Sequence, residues 1–452
     1  MIIELSISQK CSDFVCSIKW EDIHYIVREK SKYQFLDWMG TLIAGSSTRE
    51  ASIIQEIIKN QGGSPQANVA GLKQKTSVLN AALGNGYISH ILEFDDLHKK
   101  SISHPAAPID SAALSIAQSI NASGKDLLLS IILGYEIMLR IGEAVTPSHY
   151  KIWHTTATCG TFGAAVAAGK LLNLNQIELT NALGNAGTQA AGLWEFLVNG
   201  AMSKYLHTGK AAMNGVLSSL LAKKGFTGAI KILEGERGFF RAYSTEMHPE
   251  DKFKNLGIFF KILETSIKKY ASCTHTHTTI DSVLSIINTQ HINTDQIIKI
   301  KVYTYDNAKM IAGFRNPQTP IEAKFSLAYC VAAAICYGKV GLDEFAPEKI
   351  NNPIIKRLIK KVEINTKDDL NNLHPEKWPA RVEIYTSDDH IYKAGFDYPK
   401  GAPENPLSCE ELQQRFIDFS TPTIGPFKAN NLMEKILKIE EMVNVNQLFS
   451  KK

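Results

Sequence analysis

Acidic and histidine side chains are concentrated in residues 80–105, at the end of an apolar helix pattern. Glu93, Asp95 and Asp96 end that pattern, although carboxylates at a helix C-terminus face the unfavourable end of the helix dipole. His90, Glu93 and Asp96 are spaced i, i+3, i+6, and we expect them to share one helix face. Acids beside histidines can exchange protons near neutral pH. The stretch therefore predicts proton-transfer chemistry or, as the simpler alternative, caps for the following turn.

Four further stretches place polar groups where a packed core would not favour them. They are residues 153–156 with His154, residues 187–189 with Gln189, residues 204–210 with Lys204 and His207, and residues 268–277 with Lys268, Cys273, His275 and His277. His154 directly precedes a helix rich in glycine and alanine, whose N-terminal N–H groups can hold a carboxylate. For each stretch alone, a helix cap, a satisfied amide or a solvated lysine is the alternative.

Cys273, His275 and His277 also suggest a metal site. Their alternate spacing places the three side chains on one side only if the segment is extended, and the sequence has no second ligand pair with zinc-site spacing. We therefore expect no metal there, and a zinc-dependent hydrolase is the minor alternative.

The composition indicates a soluble globular protein of two or three domains. Of the 452 residues, 44% are hydrophobic, and 49 basic against 45 acidic residues leave a charge of +4, too balanced for a nucleic-acid surface. Seven cysteines without a CxxC pair favour a reducing compartment. The N-terminus has no signal-peptide pattern, and the most apolar helix, residues 127–141, is too short and too charged to span a membrane. The prediction is a cytoplasmic protein without a membrane or nucleic-acid partner.

The elements that must position these residues are helical through most of the chain. Helical apolar spacing covers residues 20–45, 49–60, 158–172, 175–183, 190–198 and 207–224, and Ser123 is placed to cap a long helix that begins near Lys125. Many of these helices are dense in alanine and glycine, which predicts close helix packing. No strand is predicted before about residue 295.

Strict alternation then marks a different domain. Strands are predicted at residues 297–305, 362–365, 380–385 and 390–396, with helices at residues 279–288, 320–337 and 353–360, the last capped by Asn352. Ser408 and Glu411 form a capping box that opens a further helix. We therefore predict an all-helical domain over residues 1–265, completed by residues 401–452, and an α+β domain over residues 266–400.

The order of these motifs resembles the MmgE/PrpD family, which includes 2-methylcitrate dehydratase, cis-aconitate decarboxylase and iminodisuccinate epimerase. The matching segments are residues 36–45, 85–105, 134–144, 153–172, 182–193, 204–215, 225–239, 268–281 and 321–329. They follow the family order across nearly the whole chain, so together they form a specific signal.

The resemblance implies a mainly α fold, in which a large all-helical domain carries an inserted smaller α+β lid domain. It also implies a homodimer and an active site between the two domains, without a metal or organic cofactor. Carried over position by position, the implied catalytic residues are Glu93, Asp95, His104, His154, Lys204 and Lys268, and the implied substrate-binding residues are Gln189, His207, Cys273, His275 and His277.

These expectations predict a cytoplasmic, cofactor-independent lyase that transfers a proton at the carbon next to a carboxylate. The substrate would be a small di- or tricarboxylate, and the first reading is dehydration of the 2-methylcitrate type. In this scheme Lys204 and Lys268 bind carboxylates, His104 is the general acid or base, and His154 is a second proton donor or a carboxylate ligand. The alternatives are a decarboxylase of the cis-aconitate type, an epimerase, and a non-catalytic binding protein.

Two departures from the family pattern leave the substrate open. Family members often read LDFDD where this chain has residues 92–96, LEFDD. They often read PCCR or PAH where this chain has residues 271–274, ASCT. An arginine that could bind a carboxylate is therefore missing from the second motif.

Overall fold

Helices dominate the structure, as the apolar spacing predicts. The computed structural model describes residues 5–246, 249–290 and 292–450. It is 59% helical and 9% strand, which confirms the predicted mainly α fold. The chain divides into two compact units: the described parts of Met1–Ile91, Asp95–Thr265 and Ser408–Lys452 form the large unit, and the described parts of Leu92–Phe94 and Ser266–Leu407 form the small unit.

The α-helices are numbered in chain order. They are α1 Ile7–Ser17, α2 Tyr25–Gly45, α3 Arg49–Gln61, α4 Val78–His90, α5 Ala106–Ile120, α6 Gly124–Val145, α7 Thr155–Leu171, α8 Gln176–Gly187, α9 Phe196–Asn199, α10 Ser203–Lys223, α11 Phe239–Tyr243, α12 His277–Thr289, α13 Asp306–Ile311, α14 Pro320–Lys324, α15 Leu327–Tyr337, α16 Pro347–Ile350, α17 Pro353–Ile359, α18 Asp368–Asn371, α19 Cys409–Ile424 and α20 Pro426–Leu437.

Shorter 3₁₀ turns and six strands make up the rest of the regular structure in the described residues. The turns are Trp20–Asp22, His149–Lys151, Pro249–Phe253, Lys261–Glu264, Thr274–Thr276, Asp343–Phe345, Ile439–Glu441 and Val445–Phe449. The strands are β1 Leu97–His98, β2 Thr265–Ser266, β3 Ile297–Thr304, β4 Val362–Thr366, β5 Ala380–Thr386 and β6 Ile391–Phe396. Because β1 and β2 precede residue 295, the prediction of no earlier strand is wrong, although each has only two residues.

The predicted helix caps are present. The Ser123 hydroxyl accepts a hydrogen bond from the Asp126 N–H, and Asn352 caps α17 through the Ile354 N–H. Ser408 and Glu411 form the predicted capping box at the start of α19. These side chains satisfy N–H groups that a helix start would otherwise leave unpaired, so the helices begin where the sequence indicates.

Three element predictions are wrong. Residues 190–198 are helical only from Phe196 onward, and the predicted helix 320–337 divides into α14 and α15. The helix that carries His90 ends at that residue, and Glu93 has a left-handed φ of 57°. Glu93 and Asp96 therefore do not continue one helix face with His90.

Close packing of small residues brings α4 and α10 together in the large unit. Gly86 and Gly209 face each other: a Cβ on Gly209 would lie 2.5 Å from the Leu83 carbonyl oxygen, and one on Gly86 would lie 3.0 Å from the Gly209 Cα. The Thr208 hydroxyl also donates to the Gly86 carbonyl at 2.7 Å. This contact fixes the C-terminal end of α4, with His90, against the N-terminal turns of α10.

The small unit is built on one mixed sheet in the order β4-β3-β5-β6. β3 pairs parallel with β4 and antiparallel with β5, and β6 forms the predicted hairpin with β5. Ile300 and Val302 of β3 are buried, as the alternation predicts. Helices α12 and α15 pack on this sheet.

The C-terminal helices pack with the large unit. Arg415 of α19 forms a buried ion pair with Asp37 of α2. None of the described helices combines the length and apolar character needed to cross a membrane.

Candidate active site

A buried carboxylate–imidazole pair lies at the end of α4. His90 Nδ1 and Asp95 Oδ2 are 2.6 Å apart, and both residues are almost fully buried. The left-handed residue that ends the helix lets the chain fold back, so that Asp95 lies beside the last helical residue. A carboxylate in this position orients the imidazole ring.

His104 is held in one orientation by main-chain and side-chain contacts. Its Nδ1 lies 2.6 Å from the Asp96 carbonyl oxygen, and its backbone N–H donates to the Thr156 hydroxyl at 3.0 Å. Because a carbonyl can only accept, Nδ1 carries the hydrogen and Nε2 carries the lone pair in the neutral ring. His104 therefore has the tautomer of a general base at Nε2, and its protonated form is an acid at the same atom.

The Asp96 side chain fixes the segment that orients His104. Its carboxylate accepts hydrogen bonds from the Ala106 N–H at 3.1 Å, the Tyr135 hydroxyl at 3.0 Å and the Gln34 amide at 3.2 Å. Burial, followed by the charge of Asp95, raises the pKa of Asp96 well above its ordinary value. These three contacts hold the carbonyl of the same residue in place for His104.

His154 and His207 form a coupled imidazole pair. Their Nδ1 atoms are 3.2 Å apart, so one hydrogen is shared between them. His154 immediately precedes α7, and its backbone N–H donates to the Gly192 carbonyl at 2.9 Å. Gly192 has a φ of 143°, and a Cβ there would lie 2.6 Å from Ala157 and 3.3 Å from His207 Nδ1. Glycine is therefore needed for both the backbone conformation and the space beside the pair.

The four rings form a continuous line. Ring centroids are 5.1 Å apart for His90 and His104, 5.9 Å for His90 and His154, and 5.4 Å for His154 and His207. Lys204 in the first turn of α10 is also buried. We call the four histidines, Lys204 and Asp95 together the histidine line.

The histidine line disfavours additional positive charge. Burial is the largest cause that lowers the pKa of His154 well below its ordinary value, and Lys204 and the other three histidines lower it further. Burial, His90 and Lys204 lower the pKa of His207 to about 4. An anion bound beside these rings would reverse part of this shift.

A pocket of about 450 Å³ borders the histidine line. Its lining includes His207, Gln189, Lys210, Asn214, Trp153 and Phe196. The Gln189 amide nitrogen donates to the Asn185 carbonyl and the Ser218 hydroxyl, so this side chain is fixed at the wall. His207 lines this pocket and also contacts the buried His154, so it connects the two.

The predicted lysine of the small unit contacts the main chain. Lys268 is buried, and its Nζ donates to the Glu93 carbonyl oxygen at 2.7 Å. Lys324, which the sequence did not single out, is likewise buried and donates to the Leu92 carbonyl at 2.8 Å. Two buried ammonium groups thus donate hydrogen bonds to the carbonyls of Leu92 and Glu93. The predicted carboxylate-binding role of Lys268 stays a prediction.

The histidines of the 273–277 segment have structural contacts. His275 stacks on Trp378 at a centroid distance of 4.3 Å, its Nδ1 lies 2.6 Å from the Tyr305 hydroxyl, and burial lowers its pKa to about 3. His277 Nε2 donates to the Ser272 carbonyl at 3.2 Å. Cys273 is half-buried. The predicted substrate-binding roles of these three residues stay predictions.

The metal alternative at Cys273, His275 and His277 is not favoured by this arrangement. In the described part of the chain, His98, Glu143 and Glu264 are the one set of three such residues whose donor atoms converge, all within 4.8 Å. The Lys261 ammonium already lies 2.8 Å from Glu143 Oε1 and 3.0 Å from Glu264 Oε2. It supplies the positive charge that these carboxylates need.

Two functional contacts were missed at the sequence level. His90 was noted for its spacing but was given no role, and its pairing with Asp95 depends on the chain reversal after α4. The Asp96 carbonyl, which orients His104, is a main-chain group and leaves no mark in the side-chain pattern.

A buried line of imidazoles beside a lysine and an acid contains the groups that acid–base catalysis uses. Residues 9–252 match the MmgE/PrpD N-terminal domain, and residues 270–440 match the MmgE/PrpD C-terminal domain. The chain belongs to the MmgE/PrpD family, and it is a lyase of that type.

Its curated relatives are similar over almost their whole length. A cis-aconitate decarboxylase-like protein, oryM, of Aspergillus oryzae is 23% identical over 99% of this chain and 97% of its own. Cis-aconitate decarboxylase of Aspergillus terreus is 23% identical over 98% of this chain and 95% of its own. Cis-aconitate decarboxylase of Homo sapiens is 24% identical over 98% of this chain and 94% of its own.

Proposed function

We propose that this lyase decarboxylates a small tricarboxylate of the cis-aconitate type. The names of its relatives support the reaction class. The observation that carries the proposal is the histidine line, because it places proton carriers beside a buried cation. As the family resemblance implies, no step requires a metal or an organic cofactor.

The charge of a polycarboxylate suits the histidine line. Lys204 and the positive N-terminal end of α10 attract a carboxylate. Its negative charge would raise the pKa of His154, which burial and cationic neighbours hold down. Substrate binding would thus make an imidazole protonated at the moment when a proton donor is needed.

In the proposed reaction the bond between a methylene carbon and its carboxylate breaks, and carbon dioxide leaves. The electron pair of that bond forms a new C=C bond to the methylene carbon. The electron pair of the old C=C bond then takes a proton at the vinylic carbon, from Nε2 of protonated His104. Lys204 balances the charge of a carboxylate that stays on the product. Each turnover consumes one proton and yields an unsaturated dicarboxylate.

Dehydration of a 2-methylcitrate-type hydroxy acid is the second candidate. This reaction needs one group that removes a proton next to a carboxylate and another that protonates the departing hydroxyl. His104 and the His90–Asp95 pair supply two such groups, with ring centroids 5.1 Å apart. Epimerisation would use the same two groups on opposite faces of one carbon.

Proton NMR in D₂O with cis-aconitate, 2-methylcitrate and citrate separates these reactions. Decarboxylation predicts carbon dioxide release and one deuterium at the former vinylic carbon. Loss of water from 2-methylcitrate without carbon dioxide would replace the first candidate by the second. If no substrate is turned over and no carbon-bound proton exchanges with solvent, both candidate reactions are contradicted. A binding protein would then be favoured. The His104→Ala variant is the matched control, and its turnover should fall by about 10² or more.

We also propose a homodimer in the cytoplasm. The family resemblance supports the dimer, and the seven free cysteines support a reducing compartment. Light scattering tests the first part, since a mass of 50.0 kDa, that of one chain, would contradict it.

A further inference from the structure

A second cavity lies in the large unit and shares no lining residue with the histidine line. It has a volume of about 440 Å³. Buried side chains form its floor, among them Met39 and Leu42 of α2 and Leu114 of α5. Exposed side chains of the C-terminal region form its rim, among them Phe427 and Lys428 of α20. The volume falls within the roughly 300–1,000 Å³ that is typical of small-molecule sites.

Polar groups on the floor are already satisfied by the protein. The Asn85 side-chain oxygen accepts from the Ala70 N–H at 3.0 Å, and its nitrogen donates to the Asn68 carbonyl at 2.9 Å. The Ser46 hydroxyl donates to the Ile43 carbonyl at 2.7 Å. A cavity of this kind offers few partners to water and favours an apolar occupant.

The rim has a different character from the floor. Phe427 and Phe449 are 78% and 40% exposed, which is unusual for two aromatic rings beside one cavity. Lys428 lines the same rim and is exposed. The site therefore combines an apolar floor, an aromatic mouth and one cation.

We propose that this cavity binds a medium-chain carboxylate. The alkyl chain would lie against Met39, Leu42 and Leu114, and the carboxylate would lie at the rim beside Lys428. An amphiphile with one anionic end matches this arrangement, because the floor has no charged partner for a second charge. The proposal is independent of the lyase reaction, because no residue of the histidine line takes part.

The chain-length dependence tests the apolar part of the site. Isothermal titration calorimetry of the full-length protein with hexanoate, octanoate and decanoate should show affinity that rises roughly fourfold per methylene group. An Asn431→Trp substitution at the exposed rim should narrow the mouth and weaken decanoate binding at least tenfold. A Leu42→Trp substitution should fill the floor and abolish binding if the variant folds, as judged by circular dichroism.

The charge dependence tests the rim. Lys428→Ala should weaken decanoate binding about fivefold to tenfold and leave binding of decanol unchanged. Lys438→Ala removes an exposed lysine just after the same helix that does not line the cavity, and it should bind decanoate as the wild type does. Equal loss in both lysine variants would indicate general charge attraction and overturn the site.

Two further outcomes would overturn the proposal. One is the absence of decanoate binding below its critical micelle concentration. The other is a dimer that Phe427→Asp dissociates, because a second copy of the chain would then cover the cavity. Lyase activity is not a readout in any of these measurements, so a failed lyase assay would leave the result interpretable.

Discussion

Histidines of the large unit and those of the small unit differ in what surrounds them. In the histidine line, ring nitrogens contact another imidazole, a carboxylate or a carbonyl. In the small unit, His275 lies flat against Trp378 and hydrogen-bonds to Tyr305. Both regions appear as histidine-rich motifs in the sequence. We therefore expect the partners of a histidine, rather than its presence in a motif, to determine whether it can transfer protons.

Replacing His104 is expected to have the largest effect on activity, and it tests this comparison directly. His104→Ala should lower kcat by about 10² or more, because a general acid or base contributes roughly 10²–10⁴ to the rate. Its half-buried position predicts little change in the melting temperature. Steady-state kinetics and thermal unfolding of the same preparation measure both quantities. A kcat like that of the wild type would remove His104 from the mechanism.

A smaller loss of activity is expected at His207. His207→Asn removes the imidazole that shares a hydrogen with His154 but keeps a polar side chain at the pocket wall. We expect kcat to fall about tenfold and added imidazole to restore part of the rate, because His104 and the His90–Asp95 pair are intact. A raised KM with an unchanged kcat would instead assign His207 to substrate binding alone.

At His275 we expect a loss of stability with little change in activity. His275→Phe keeps an aromatic ring for the stack on Trp378 but leaves the buried Tyr305 hydroxyl without this hydrogen bond. The free energy of unfolding should fall by about 1–3 kcal/mol, and kcat should stay within about twofold of the wild type. Urea unfolding and kinetics at saturating substrate test the pair of expectations. A rate loss like that of His104→Ala would place His275 in the reaction.

The smallest expected effect is on the pH dependence of stability, which tests whether His275 is neutral in the folded protein. Burial lowers the pKa of His275 to about 3, below the roughly 6.5 of an unfolded histidine. The unfolded chain then binds a proton at a higher pH than the folded chain, so acidification from about pH 6.5 toward pH 3 destabilises the fold, and higher pH has no further effect. His275→Phe should lose less stability than the wild type between about pH 7 and pH 5. Parallel curves would contradict the buried neutral state.

Local patterns in the sequence predict most of the fold. Side-chain caps such as Ser123 and Asn352 act on residues two or three positions away, so they can be recognised from sequence. The alternation of apolar and polar residues in β3 is also a local pattern, and it identifies the buried face of the strand. The end of α4 could not be predicted, because Ile91 and Leu92 continue the apolar spacing and Glu93 is neither glycine nor asparagine at its left-handed φ.

The candidate site was predicted as a set of residues rather than as an arrangement. His104, His154, Lys204 and His207 lie in the same cluster, as their motifs suggest. Their order in space depends on the contact between α4 and α10 and on the backbone turn at Gly192, two features that bring distant residues together. Sequence spacing carries no direct information about such contacts.

The pairing of Arg415 with Asp37 has a consequence for how the protein is made. The large unit takes its first helices from the start of the chain and α19 and α20 from its end, whereas nearly all of the small unit is synthesised in between. Because domains tend to fold as units during synthesis, the small unit can be complete while the larger one still waits for its last two helices. A ribosome-bound chain therefore leaves the face of α2 that α19 covers exposed until α19 has been synthesised.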